Sequence, residues 1–309
     1  MNVLFLSPTV DTAGLGIGMK RAFDAHGGEW HARHVRTADS WLRYDVDVQA
    51  SPGDPEMVRL WNEADVVVII EQPHAAQWGP RKPFIVWHLG TYFRKQIPTV
   101  HAQCQAIGAL EVADMHDLIR RADYPLGWLP DVIDPVPLAA IRADEYPDDG
   151  VLRIAHAPTD RVIKSTDIIV AAVERLARRH EFEFDLIEGV PNAECLRRKA
   201  RADIFIDELT LGYGLNALEC WSMGIPVISG VADPVTRDLM KDDSGGSLPF
   251  LCADAEMLEA CIEDLIVSER DRRHWANAGM NHVQRFHTPA AVVERAIALF
   301  EQVGVRAAA

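Results

Sequence analysis

The chain has 309 residues, of which 48% are hydrophobic and 25% charged, and it carries a formal net charge of −15. At about 100–200 residues per domain this length predicts two domains, each able to bury its own core. Residues 1–150 hold 13 Lys+Arg against 21 Asp+Glu and the remainder 18 against 25, so the acidity is even and neither half reads as a module for duplex nucleic acid or an anionic membrane.

Apolar runs alternate with helical periodicity from the first residues. The predicted strands of the first half are Val3–Leu6, Trp30–Val35, Val66–Ile70, Phe84–Trp87 and Cys104–Ala109, with helices over 16–26, 55–63 and 112–121. Pro125, Pro130, Pro135, Pro137 and Pro147, with acids between them, read as an interdomain linker. The pattern restarts with strand Leu152–His156, a helix over 166–179, strand Phe184–Glu188, a short helix near 192–201 and strand Asp203–Asp207. Strands Pro226–Ser229 and Leu248–Cys252 and helices 254–267, 269–285 and 289–303 complete the chain. Such alternation predicts α/β domains built on parallel, doubly wound sheets, which bind ligands at the carboxyl ends of their strands.

Cys104, Cys195, Cys220, Cys252 and Cys261 form no CxxC pair, which predicts reduced thiols in a cytoplasmic protein. The opening MNVLFLSPTV lacks a basic leader and reads as a first buried strand, and no apolar run approaches the ~18 residues of a membrane span. His31, His34, His282 and His287 have no metal-ligand spacing and read as surface residues.

The most informative stretch is ADIFIDELTLGYGLNALECWSMGIPVIS, residues 202–229: buried strand, glycine turn, helix, buried strand. A helix N-terminus attracts phosphate through its unpaired N–H groups and positive dipole end. Gly212 and Gly214 let the backbone approach a ligand closely, Leu215 opens the helix, and Glu219 stands where a carboxylate accepts hydrogen bonds from both hydroxyls of a ribose.

This stretch resembles the donor site of the retaining GT-B glycosyltransferases of family 4, whose pattern is Glu-x7-Glu followed by Ala-x-x-x-Gly-x-Pro-Val. Glu219, Gly224, Pro226 and Val227 match its second half, whereas Leu211 stands where the first glutamate, a contact to the donor sugar, belongs. Asp207 and Glu208, just upstream, are the candidate substitutes. A second segment, His156-Ala-Pro-Thr-Asp-Arg161-Val-Ile-Lys164, is similar to the family's donor-phosphate loop, with Arg161 as a planar fork and Lys164 as a point charge for a diphosphate. Gly14 and Gly16 lie in the loop after the first strand, similar in position to a loop that frames donor and acceptor. His88 and Arg94 look like a His-x-Gly-x-x-x-Arg pattern of some members, His88 touching donor sugar or acceptor and Arg94 an acid or phosphate. Glu188 ends a strand and borders the base in this reading.

The resemblance implies a GT-B fold: an acceptor-side Rossmann-like domain over 1–133 and a donor domain over 134–309, facing each other across a cleft, with helix 289–303 packing back on the first. It implies retaining transfer of a sugar from a nucleoside-diphosphate sugar to a small-molecule or glycan acceptor. His88, Arg161 and Lys164 are the catalytic candidates; Gly14, Gly16, Arg94, Glu188, Gly212, Gly214, Leu215 and Glu219 are the donor-binding ones. No metal and no cofactor are expected, the nucleotide sugar being a substrate, and no nucleic-acid partner. The competing reading, supported by Leu211, is a non-catalytic GT-B homologue that binds a nucleotide or a partner subunit.

Overall fold

The computed structural model describes residues 1–306. Along the chain run β1 (Asn2–Ser7), α1 (Leu15–His26), β2 (His31–Arg36), β3 (Val48–Gln49), α2 (Pro55–Glu63), β4 (Val66–Ile70), β5 (Phe84–His88), α3 (Gly90–Ile107), β6 (Leu110–Ala113), α4 (His116–Arg121) and β7 (Gly127–Trp128). There follow α5 (Pro135–Glu145), β8 (Arg153–His156), α6 (Thr166–Leu176), β9 (Glu183–Leu186), α7 (Asn192–Lys199), β10 (Ile204–Ile206), β11 (Leu211–Gly212) and α8 (Leu215–Ser222). The chain continues through β12 (Val227–Val231), α9 (Pro234–Ser244), β13 (Leu251–Cys252), α10 (Leu258–Val267), α11 (Glu269–Phe286) and α12 (Pro289–Gln302).

Two compact units result. The first comprises Met1–Val132 and Phe286–Ala309, the second Ile133–Arg285. In the first unit a parallel sheet runs in the order β3-β2-β1-β4-β5-β6-β7. Its central strand Val66–Ile70 is an unbroken Val/Ile run buried on both faces, as a covered parallel sheet requires. Helix α12 belongs to this unit, where Phe300 stacks on Phe23 of α1 at 5.9 Å between ring centroids. In the second unit β12-β10-β8-β9 run parallel, β13 extends the sheet beyond β12, and the short β11 pairs antiparallel with β12.

The order of strands reverses between β1 and β4 in the first unit and between β8 and β10 in the second. Loops leave a sheet in opposite directions at such a point and open a crevice at the carboxyl ends. The loops that matter for function are therefore those after β1 and β4, and those after β8 and β10.

Several local expectations are corrected. Cys104 to Ile107 finish α3 rather than forming a strand; Gly108 then caps the helix in the left-handed region, and the strand is Leu110–Ala113. The stretch 112–121 is accordingly the end of β6 followed by α4. The supposed linker holds β7 and α5, with Pro135 in the first turn of α5 and the Asp134 carboxylate accepting the Val136 N–H at 3.0 Å. His34, His282 and His287 are buried, and only His31 of that group is exposed. Among the described residues no helix is long and apolar enough to cross a membrane.

Candidate functional site

In the second unit, the loops at the switch point carry most of the anticipated residues. After β8 the chain turns on Asp160, whose carboxylate accepts the N–H groups of Val162 and Ile163 at 2.9 and 3.0 Å. Ser165, at φ +53°, leads into α6. This holds Lys164 pointing at β10: its ammonium donates to Asp207 Oδ1 at 2.5 Å, and the Asp207 side chain is fully buried. The other Asp207 oxygen accepts the Gly214 N–H, the residue before α8, at 3.1 Å. A Cβ on Gly214 would stand 3.8 Å from the Lys164 ammonium, an ordinary contact, so the cation lies directly beside the start of α8. Lys164, Asp207 and Gly214 thus join the two loops of the crevice.

Arg161 is half exposed and donates to both Glu188 oxygens, at 2.8 and 3.0 Å, and to Asp167 at 3.0 Å. Those hydrogen bonds hold its guanidinium above the ordinary arginine range. Beneath the loop, His156 is sealed in the sheet. Its Nδ1–H donates to the Ile206 carbonyl at 2.8 Å and its Nε2 accepts the Thr166 hydroxyl at 2.9 Å. Burial lowers its pKa to about 4, so it is a neutral tie between β8, β10 and α6.

Glu219 lies in the second turn of α8 and is buried. One oxygen is ion-paired with Lys199 of α7, and the other accepts from Asn192 at a long 3.4 Å. The Lys199 ammonium also donates to Asn216, whose amide reaches the Ala157 carbonyl at 2.9 Å. Gly212 adopts φ +107°, and a Cβ there would meet Met240 Cε at 2.1 Å. The two candidate substitutes for the missing glutamate are otherwise engaged. Asp207 holds Lys164 and Gly214. Glu208 accepts from the Thr210 N–H at 2.7 Å and from the Leu211 N–H, and its pKa is raised to about 7 by burial.

In the first unit the anticipated residues are engaged by neighbours within the fold. The N-terminus of α1 already has an anion: Asp11 Oδ1 accepts the Gly16 N–H at 2.8 Å and Oδ2 the Ile17 N–H at 3.1 Å. Gly14 and Gly16 answer to packing, since a Cβ would come 2.6 Å from the Tyr44 ring and 2.3 Å from His34 Nε2. His88 does end β5, but its side chain does not face outward. It is wholly buried, stacked on Phe93 at 3.9 Å, with Nε2 on Glu111 at 2.9 Å, and burial lowers its pKa. Glu111 also accepts from His101 at 2.6 Å and Tyr124 at 2.9 Å. Within this hub, ligand-type atoms of His88, Cys104 and Glu111 lie within 4.8 Å of one another. Arg94 is locked to Asp117 by two bonds of 2.6 and 2.9 Å. One carboxyl that the sequence did not flag stands at the crevice of this unit. Glu71, just after β4, has φ +67° and a pKa raised to about 7 by burial, with Thr12 donating to it at 3.5 Å.

Tandem doubly wound units, with basic and carboxylate groups at the carboxyl edge of the second, define the GT-B class of fold. No protein-family model matches the sequence, and no curated protein sequence does. Solved structures match over the whole chain. An alpha-glucosyltransferase in complex with UDP and a 13-mer DNA aligns with a TM-score of 0.67 at 10% identity, covering 99% of both chains. A glycosyltransferase from Rickettsia africae aligns at 0.66 with 11% identity, again over 99% of both chains. Sucrose-phosphate synthase from Thermosynechococcus elongatus aligns at 0.63 with 12% identity, over 98% of this chain and 99% of that one. The chain has the fold of these GT-B glycosyltransferases.

Proposed function

We propose that the protein is a retaining glycosyltransferase of the family 4 type. It would move a sugar from a nucleoside-diphosphate sugar to a small-molecule or glycan acceptor, with no metal and no further cofactor. The observation that carries this reading is the meeting of Lys164, Asp207 and the Gly214 N–H where β8 and β10 part, with Arg161 at the rim and Glu219 one turn into α8. Cations and a helix N-terminus suit a diphosphate, and a carboxylate one turn further suits a ribose.

In this reading the bond from the sugar's anomeric carbon to phosphate breaks as the acceptor oxygen bonds to the same face. The acceptor's proton passes to the leaving phosphate, and Arg161 and Lys164 stabilise the charge that develops there. Glu188 borders the base. We place the donor contacts chiefly in the second unit, because His88 is buried against Phe93 and Glu111 and Arg94 is paired with Asp117. The alpha-glucosyltransferase neighbour was crystallised with DNA, but a net charge of −15 in this chain favours a neutral acceptor over a polyanion.

A binding-only homologue is the second reading. It is favoured by Leu211 together with the engagement of Asp207 and Glu208 by protein partners. Calorimetry of UDP, GDP, ADP, CDP and TDP against their own nucleotide sugars, followed by product detection with candidate acceptors, separates the two. The enzyme reading expects at least one sugar to add affinity and to be turned over. If no nucleotide sugar outbinds its own diphosphate and none is consumed, the binding-only reading replaces it.

A further inference from the structure

Lys199 is 1% exposed, among the least accessible side chains of the protein. Lysine is rarely so deeply buried, because removing an ammonium from water is costly unless a counter-ion and hydrogen bonds compensate. Here they do: Glu219 and Asn216 both accept from it, and the Phe205 ring lies 5.5 Å away. Burial works to lower the lysine's pKa, yet the Glu219 charge and its hydrogen bond outweigh it and hold the ammonium charged well above the usual range. The frame is anchored at its far end by Asn216, bonded to the Ala157 carbonyl just beyond β8. One Glu219 oxygen is consumed by the lysine, and the other has only the 3.4 Å contact from Asn192. That long contact is the one a ligand hydroxyl would replace.

We infer that Lys199 is a positioning residue for the nucleotide's ribose: it fixes the Glu219 carboxylate as an ion pair, turned so that one oxygen stays open to the ribose hydroxyls. The inference rests on the donor-binding reading given above and extends it to a residue that touches no substrate. An ionised carboxylate is acceptor-only and accepts stronger, charge-assisted hydrogen bonds from hydroxyls, whereas a proton on it turns one oxygen into a donor and weakens what the rest can accept. A buried carboxylate stripped of its counter-ion takes up a proton near neutral pH. The other charged and titratable groups around the pair are Cys195 and Arg198 on α7, Cys220 on α8, Asp207 after β10, and Arg142 on α5. Arg142 is bonded to the Ala202 carbonyl at 2.7 Å and also to that of Ala200, and Arg198 to Asp185 at 3.0 Å, so neither arginine is free to replace Lys199; Asp207 is itself an acceptor, held by Lys164.

The experiment measures UDP and 2′,3′-dideoxy-UDP by calorimetry on the wild-type protein, Lys199→Met and the double variant Lys199→Met/Glu219→Gln. The wild type is expected to prefer UDP across the window. In Lys199→Met, UDP affinity falls roughly 10-fold between about pH 8 and about pH 6, while that of the dideoxy ligand does not follow. A variant that keeps the wild-type pH profile, or loses both ligands in parallel, overturns the inference. Should Lys199→Met not fold, Lys199→Gln, which can still donate to Glu219 but carries no charge, is put through the same comparison with the same two outcomes. The double variant, which leaves no unpaired charge, reports on Glu219 alone: a retained preference for UDP there overturns the ribose assignment, and the role of Lys199 with it. A wild-type protein indifferent to the ribose hydroxyls removes the ribose assignment itself, and the role of Lys199 with it.

Discussion

Lys164→Met tests how far Lys164, the cation proposed to bind phosphate, is also structural. Its ammonium is the partner of a fully buried carboxylate, Asp207, 2.5 Å away. Removing one member of a buried pair costs about 3–5 kcal/mol, because the remaining charge is left uncompensated. Asp207 keeps the Gly214 N–H, and Lys164 is 17% exposed, so the lower end applies, about 3 kcal/mol. For a unit spanning residues 133–285, at roughly 2–4 °C per kcal/mol, this lowers the melting temperature of the ligand-free protein by roughly 6–12 °C. The companion Lys164→Met/Asp207→Asn removes both charges while the amide oxygen still accepts from Gly214, and most of the loss is regained. Calorimetric melting of the three proteins is the assay. If Lys164→Met melts within about 2 °C of wild type, the reasoning from the buried pair is wrong. In the stable double variant, UDP is expected to weaken much more than uridine.

Two further outcomes follow from neighbouring residues. Arg161→Ala is expected to leave melting unchanged, since Arg161 lies at the rim, and to weaken UDP about 10-fold more than uridine; equal losses for the two ligands in calorimetry count against a phosphate contact. His156 is neutral in the fold, its pKa of about 4 lying below the ordinary 6.5, so the unfolded chain takes the proton first. Its contribution, up to about 3 kcal/mol, is complete above pH ~6.5 and is lost as the pH falls through about 4. The stability gap between wild type and His156→Gln, read by denaturant titration, should therefore shrink between those values; a constant gap refutes the assignment.

What the sequence made legible was what local chemistry writes down. The Val66–Ile70 run is apolar without alternation and is a strand buried on both faces, and the strand expected over Pro226–Ser229 runs two residues further, to Val231. Helix α3 was missed because Pro98 interrupts it, with Gln96 leaving helical geometry at φ −137°, and because the short apolar run at Cys104 suits a strand equally well. The missed helices α5 and α9 share a readable signal: Asp134-Pro135 and Asp233-Pro234, an acceptor at the cap and a proline in the first turn. The same Asp-Pro start opens α2, which the sequence did yield.

In the site, Arg161, Lys164 and Glu219 were visible through their loop and motif, but their partners were not. Asp207 is 43 residues from Lys164, and Lys199 is 20 from Glu219. Pairings of that range are set by strand order, which a single sequence does not display. His88 was misjudged because a strand end is exposed only if the following helix leaves it so, and here Phe93 of α3 covers the ring.

The carboxylate of Asp11 has a consequence for how labour is divided in a tandem architecture. Two sheets wound alike ought to offer two equivalent receptors for an anion, one after each switch point. In the first unit the receptor is filled from within: a tethered carboxylate binds the α1 amides. An external phosphate would compete against an intramolecular ligand with an effective concentration on the order of millimolar or higher. That receptor therefore behaves as permanently saturated, while at the start of α8 in the second unit Asp207 accepts a single N–H. The asymmetry between otherwise parallel halves is written into the folded chain itself.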